Sequence, residues 1–93
     1  MVEIIPTIIA KDLAELKKKA KLLEPYFDVV QLDVMDGRFV SKKTFSNIKI
    51  IKQLKTKLRW ELHLMIEKPE EVVYAWSALR PKRFIFHFEA VPS

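Results

Sequence analysis

Three segments of this sequence each carry an ionisable side chain where a strand would end: Asp33 in Val29 to Val34, His63 in Trp60 to Met65, and His87 closing Arg83 to His87. Side chains alternate across an extended chain, so Gln31, Asp33 and Met35 share one face, as do Glu61, His63 and Met65, and Ile85, His87 and Glu89. A carboxylate and two imidazoles brought to one rim can move protons or hold a divalent cation. One buried polar group on a strand is commonly structural. Three such groups converging are costly to bury without a task or a ligand.

Positioning them requires parallel strands. Glu3 to Ile9 is β-rich and leads into a helical pattern from Asp12 to about Leu23, with Asp12 and Glu15 in capping-box spacing and Pro25 as the stop. Val29 to Val34 is too apolar for a half-wet strand and fits one covered on both faces. Asp36 and Gly37 end it, and after the loop Arg38 to Phe45, Ser46 or Asn47 can cap a short helix carrying Ile48, Ile51 and Leu54. Trp60 to Met65 predicts a third strand. Pro69 then opens a helix with Glu70 and Glu71 in its first turn, an apolar face of Val72, Val73, Trp76 and Leu79, and Pro81 at its end. Arg83 to His87 completes four strands and three helices, an α/β pattern with right-handed crossovers that suits either a barrel or an open sheet. The chain ends within a few residues of the fourth strand. Such a sheet leaves an unpaired edge and an uncovered face, so the expectation is one partial domain over residues 1–93 that needs a missing C-terminal half or a second copy as partner.

Composition narrows the class. With 49% hydrophobic and 31% charged residues in 93, this is one globular unit. Its apolar runs are far short of the roughly 20 residues of a membrane helix, and its start lacks a signal peptide's basic lead and cleavage site; the expected location is the cytoplasm, away from membranes. The absence of cysteine excludes disulfides and thiolate-bound metal. The net charge of +5 reflects in part Lys17, Lys18, Lys19 and Lys21, which fall largely on the face opposite Leu13, Leu16, Ala20 and Leu23. That is a solvated helix face, and no nucleic-acid signature accompanies it.

Leu32-Asp33-Val34-Met35-Asp36-Gly37-Arg38-Phe39-Val40 resembles the strand-two signature of ribulose-phosphate 3-epimerases, and His63-Leu64-Met65-Ile66 with Pro69-Glu70 resembles their strand three. Pro6-Thr7-Ile8-Ile9 with Asp12-Leu13, and Phe86-His87-Phe88-Glu89-Ala90, are similar to the family's first and fourth strands, in the same order. The resemblance implies a (β/α)8 barrel of TIM type, about twice this length, of which this chain is the N-terminal part. It implies an isomerase of carbohydrate metabolism, in the pentose phosphate pathway. The reaction moves a proton at the carbon next to the keto group of a pentulose 5-phosphate. Asp33 would be the acid/base and, with His63, would ligate a divalent metal (zinc, iron or manganese). Thr7 and His63 would contact the phosphorylated ketose, and Met35 and Met65 would floor the site. Independently of the resemblance, His87 lies on the same predicted face and could orient Asp33 or a water, although a strand histidine near an apolar core more often supports a ligand or satisfies its own hydrogen bonds than binds metal. The sequence departs from the pattern at Gln31, where the family has a metal-binding His, so that Gln31 stands beside the ligands as a poorer donor. It also has Thr7 for a Ser, and Ser41-Lys42-Lys43-Thr44-Phe45-Ser46 for a loop with Asn and Gly. The family's second acid/base Asp comes from later strands, so the isolated chain is expected to be inactive. The alternative is a noncatalytic descendant that binds a sugar phosphate or a partner after losing its metal.

Overall fold

Val29–Met35 and Arg59–Met65 are the two long strands of the computed structural model, which describes residues 4–87. In chain order the elements are β1 (Thr7–Ile8), α1 (Leu13–Leu23), β2 (Val29–Met35), α2 (Ile48–Lys52), β3 (Arg59–Met65), α3 (Val73–Trp76) and β4 (Arg83–Phe86). Every strand pair is parallel and the order is β1-β2-β3-β4, so consecutive strands are neighbours, as in half of a parallel α/β barrel. Among the described residues β1 and β4 are the outer strands, each paired on one side. No helix among the described residues is long and apolar enough to cross a membrane.

One face of the sheet supplies Ile8, Val30, Leu32, Val34, Trp60, Leu62 and Leu64 to a core shared with Leu16 and Ala20 of α1, Ile51 of α2 and Trp76 of α3. This burial explains why the strands read as apolar runs. The opposite face carries the polar rows. α1 starts where Asp12 Oδ1 accepts from the Glu15 N–H at 2.8 Å. The reciprocal arm of the box lands one residue early, because Glu15 Oε1 accepts from Lys11 N–H, also at 2.8 Å. Asn47, not Ser46, caps α2, its Oδ1 accepting from Ile50 N–H at 3.1 Å.

Two elements differ from expectation. β1 pairs only over Thr7 and Ile8 among the described residues, with a further bond from Gln31 N–H to the Pro6 carbonyl at 2.8 Å; Glu3 lies outside them. The third helix is broken into a 3-10 turn (Pro69–Glu71), α3 and a second 3-10 turn (Ser77–Leu79). Pro69 opens it as expected, but Val72 has φ −118° and interrupts the helical path. Val72 and Val73 are β-branched and resist a regular helix, while packing of Trp76 holds the short segment in place.

Candidate functional site

Strand register sorts the open face into rows. Above Val29 and Arg59, Thr7, Gln31, Glu61 and Arg83 are neighbours in one row, Asp33, His63 and Ile85 in the next, and Met35 and Met65 at the C-terminal end. β4 ends at Phe86, so His87 lies one residue beyond it. Glu89 lies outside the described residues.

Four of the expected residues meet in one network. Gln31 Nε2 donates to Asp33 Oδ1 at 2.8 Å and lies 3.2 Å from His63 Nδ1. His63 Nδ1 is 3.1 Å from the same Asp33 oxygen, and its Nε2 is 3.0 Å from His87 Nε2. Asp33 is only 7% exposed. Met35 is buried and Met65 half-buried in the row above, where an apolar, polarizable surface would border a bound substrate. Thr7 is exposed beside Gln31, and no hydrogen bond among the described residues joins it to the network.

A metal about 2.0–2.1 Å from nitrogen and oxygen ligands spaces them roughly 3 to 3.4 Å apart. Asp33 Oδ1 and His63 Nδ1, at 3.1 Å, match that spacing. The third corner is the amide nitrogen of Gln31, a donor that repels a cation; its oxygen reaches the point only if the amide turns over. Among the described residues no three His, Cys, Asp or Glu side chains gather at one point. Asp33 and His63 alone present ligand atoms to that point, and Gln31 as oriented opposes a cation there.

Sequence reasoning missed the groups that hold the rim. Asp36, read only as a strand end, accepts through Oδ1 from the N–H groups of Arg38 at 2.8 Å and Phe39 at 3.1 Å, and through Oδ2 from Glu67 N–H at 3.0 Å. It ties the loop after β2 to the loop after β3. Phe39 in turn packs its ring 5.1 Å from that of His87. Buried Thr44 clamps the end of β2: Thr44 Oγ1 accepts from Met35 N–H and Thr44 N–H donates to the Met35 carbonyl, both at 3.0 Å. The Asp-Gly pair signals a turn, but no local signal reveals the bond to Glu67. In the row of Gln31, buried Glu61 faces Arg83 Nε at 3.2 Å as an ion pair, yet its Oε2 lacks an aligned hydrogen bond.

Burial pushes the Asp36 carboxyl up, but the backbone N–H groups of Glu67, Arg38, Phe39 and Asp36 itself outweigh it and hold the group below its ordinary 3.8. A lowered folded pKa contributes stability above the ordinary carboxylate range and loses it as pH falls through the depressed value. Protection of the Arg38, Phe39 and Glu67 amides from hydrogen exchange, relative to their intrinsic rates, is therefore expected to drop in acid. Asp36→Ala should produce the same drop at neutral pH, costing about 1 kcal/mol locally by analogy with a lost cap. Unchanged protection in the variant would show that the loops hold without the carboxylate.

The sequence profile of the Ribulose-phosphate 3 epimerase family matches residues 3–93. The chain is 37% identical over 89 residues to a ribulose-phosphate 3-epimerase of Chlamydia trachomatis, covering 94% of this chain and 38% of that protein. It is 33% identical over 95 residues to one of Bacillus subtilis (99% and 43% covered) and 40% identical over 89 residues to one of Chlamydia muridarum (94% and 39%). The chain thus spans about two fifths of the length of these curated relatives.

Proposed function

This chain belongs to the ribulose-phosphate 3-epimerase family, and on that premise we propose that its 93 residues furnish the first half of a barrel that epimerises a pentulose 5-phosphate at the carbon next to its keto group. The observation that carries this reading is the buried Asp33 carboxylate, set against His63 directly below the Met35–Met65 row.

A carboxylate there can take the proton from the substrate carbon and return it, because little water competes for its oxygens. A divalent cation held by Asp33 and His63 would supply charge stabilisation for the enediolate formed in between. His63 keeps one nitrogen toward Asp33 and so sets the direction of that carboxylate. Met35 and Met65 exclude water above the reacting carbon, and the Thr7 hydroxyl stands in the row of Gln31 for contact with the sugar. Inversion requires a second acid/base on the opposite face of the enediolate. Asp33 supplies one of the two, so the chain by itself is expected to turn over no ketose.

Gln31 favours a second reading. Its amide N–H donates to Asp33 and its nitrogen lies against His63, so a donor stands where a ligand atom would be needed, which suits a noncatalytic barrel that binds a sugar phosphate or a partner. The two readings part in a chimaera in which this chain replaces the matching portion of the Bacillus subtilis relative. Incubated with ribulose 5-phosphate in D2O, the proposed enzyme incorporates deuterium at C3 and forms the C3 epimer. A folded chimaera that binds the sugar phosphate without isotope exchange would establish the noncatalytic reading.

A further inference from the structure

We propose that the end of the sheet opposite the Asp33 rim carries a docking groove for an acidic segment of a partner protein, one in which apolar residues stand between carboxylates. The C-terminal half of α1, the loop after α2 and the turn before β4 all lead into the starts of parallel strands, so they meet at that end. Two concavities run together there. The first, about 510 Å3, sets Ala20 and Leu54 among Lys17, Lys21 and Lys55. The second, about 470 Å3, continues from Leu54 and Thr56, which line both, toward Leu79, and is bordered by Lys52, Arg59 and Arg80.

These cations are unneutralised. On the same helix Lys19 pairs with Glu15 at 3.9 Å and donates to the Ile9 carbonyl at 2.6 Å, whereas no ion pair among the described residues engages any of the cations that border the groove. The carboxylate that lines it, Glu24, is turned to the wall: its Oε2 accepts from Thr56 Oγ1 at 2.7 Å and from Lys57 N–H at 3.3 Å, which fixes α1 to the loop before β3. Arg80 stands at φ 49°, in the left-handed region that favours glycine, so the backbone supplies no reason for an arginine there. Cations along both walls of an apolar strip complement a peptide whose carboxylates flank apolar side chains. Because Leu54 and Thr56 belong to both concavities, the site is elongated, and a lone phosphate would leave most of it empty. A nucleic-acid strand needs aromatic faces on which its bases stack; the aromatic residue of this groove, Trp60, is buried in the core. The groove lies at the far end of the strands from Asp33 and His63, and its role does not depend on whether the barrel epimerises a sugar.

The probe is a fluorescein-labelled peptide, Glu-Glu-Leu-Glu-Glu-Leu-Glu-Glu, titrated against the chain at low salt and followed by anisotropy. It is expected to bind and to shift the amide resonances of Ala20, Lys21, Leu54 and Thr56 in the 15N-labelled chain, leaving those of Asp33 and His63 in place. The same peptide with serine for leucine should bind about tenfold more weakly or worse, since the apolar strip then gains no partner. Lys21→Glu with Lys55→Glu should also weaken the parent peptide by about tenfold, as two exposed attractions become repulsions. Lys18→Glu with Lys42→Glu makes the same charge change at exposed positions outside the groove and should stay within about twofold. Circular dichroism checks that both double variants fold, and the shift map of the parent chain decides the location without them. No binding, shifts elsewhere, equal affinity for the serine peptide, or equal losses in the two double variants overturns the proposal. So does tighter binding of an oligothymidine of the same length, which would give the groove to nucleic acid. Sedimentation showing self-association that Lys21→Glu with Lys55→Glu abolishes would give it instead to a second copy, through its exposed Glu67, Glu70 and Glu71.

Discussion

Asp33→Asn is expected to lower epimerisation in the chimaera by about 10²–10⁴-fold, the range that a positioned acid/base supplies. The amide keeps the shape of the carboxylate, and its oxygen can still accept from Gln31 Nε2, which donates to Asp33 at 2.8 Å. Packing is therefore preserved while the ability to carry the substrate proton is lost. The effect should fall on kcat, with KM little changed, because the removed interaction acts on the proton in transit. Deuterium incorporation at C3 should fall in parallel, since both products of the reaction pass through the same abstraction. A variant that keeps more than about a tenth of the parent rate would assign the base elsewhere.

Gln31→His is expected to tighten Zn2+ binding by at least about a hundredfold, since imidazole replaces a neutral amide as a ligand to a borderline-soft cation. The position is already within reach: the amide nitrogen lies 2.8 Å from Asp33 Oδ1 and 3.2 Å from His63 Nδ1. A His nitrogen near that point completes three ligands, the number of protein groups common to open catalytic zinc sites. Calorimetric titration of the metal-free chain measures the change directly. An unchanged affinity would mean that the glutamine oxygen already turns inward, with the hydrogen bond to Asp33 given up.

The central strands were legible because the face packed on the helices is apolar at every second position, and period-two alternation then put Asp33 and His63 on the open face. Alternation alone does not say which row meets which. The pairing of Asp33 with His63, and of Gln31 with Glu61, depends on the register of two strands about thirty residues apart, which only the parallel ladder determines. The spacing of Val72, Val73, Trp76 and Leu79 revealed which side of the third helical segment is apolar but not that Val72 would break it, since the helical period outweighed the weaker local signal of two adjacent β-branched residues. Gln31 could be read as a departure from the family pattern; that its amide turns a donor toward the ligand position could not. Asp36 joining loops 31 residues apart is likewise invisible to any local signal.

The network is not equally secure along its length. Asp33 and His63 sit in the interior of β2 and β3, whose ladder runs through seven registered pairs from Val29–Arg59 to Met35–Met65. His87 follows a strand with four such pairs on one side. Heat therefore erodes the site from its outer end: the contact between the His63 and His87 rings loosens while the carboxylate and its neighbouring ring stay together until the sheet itself melts.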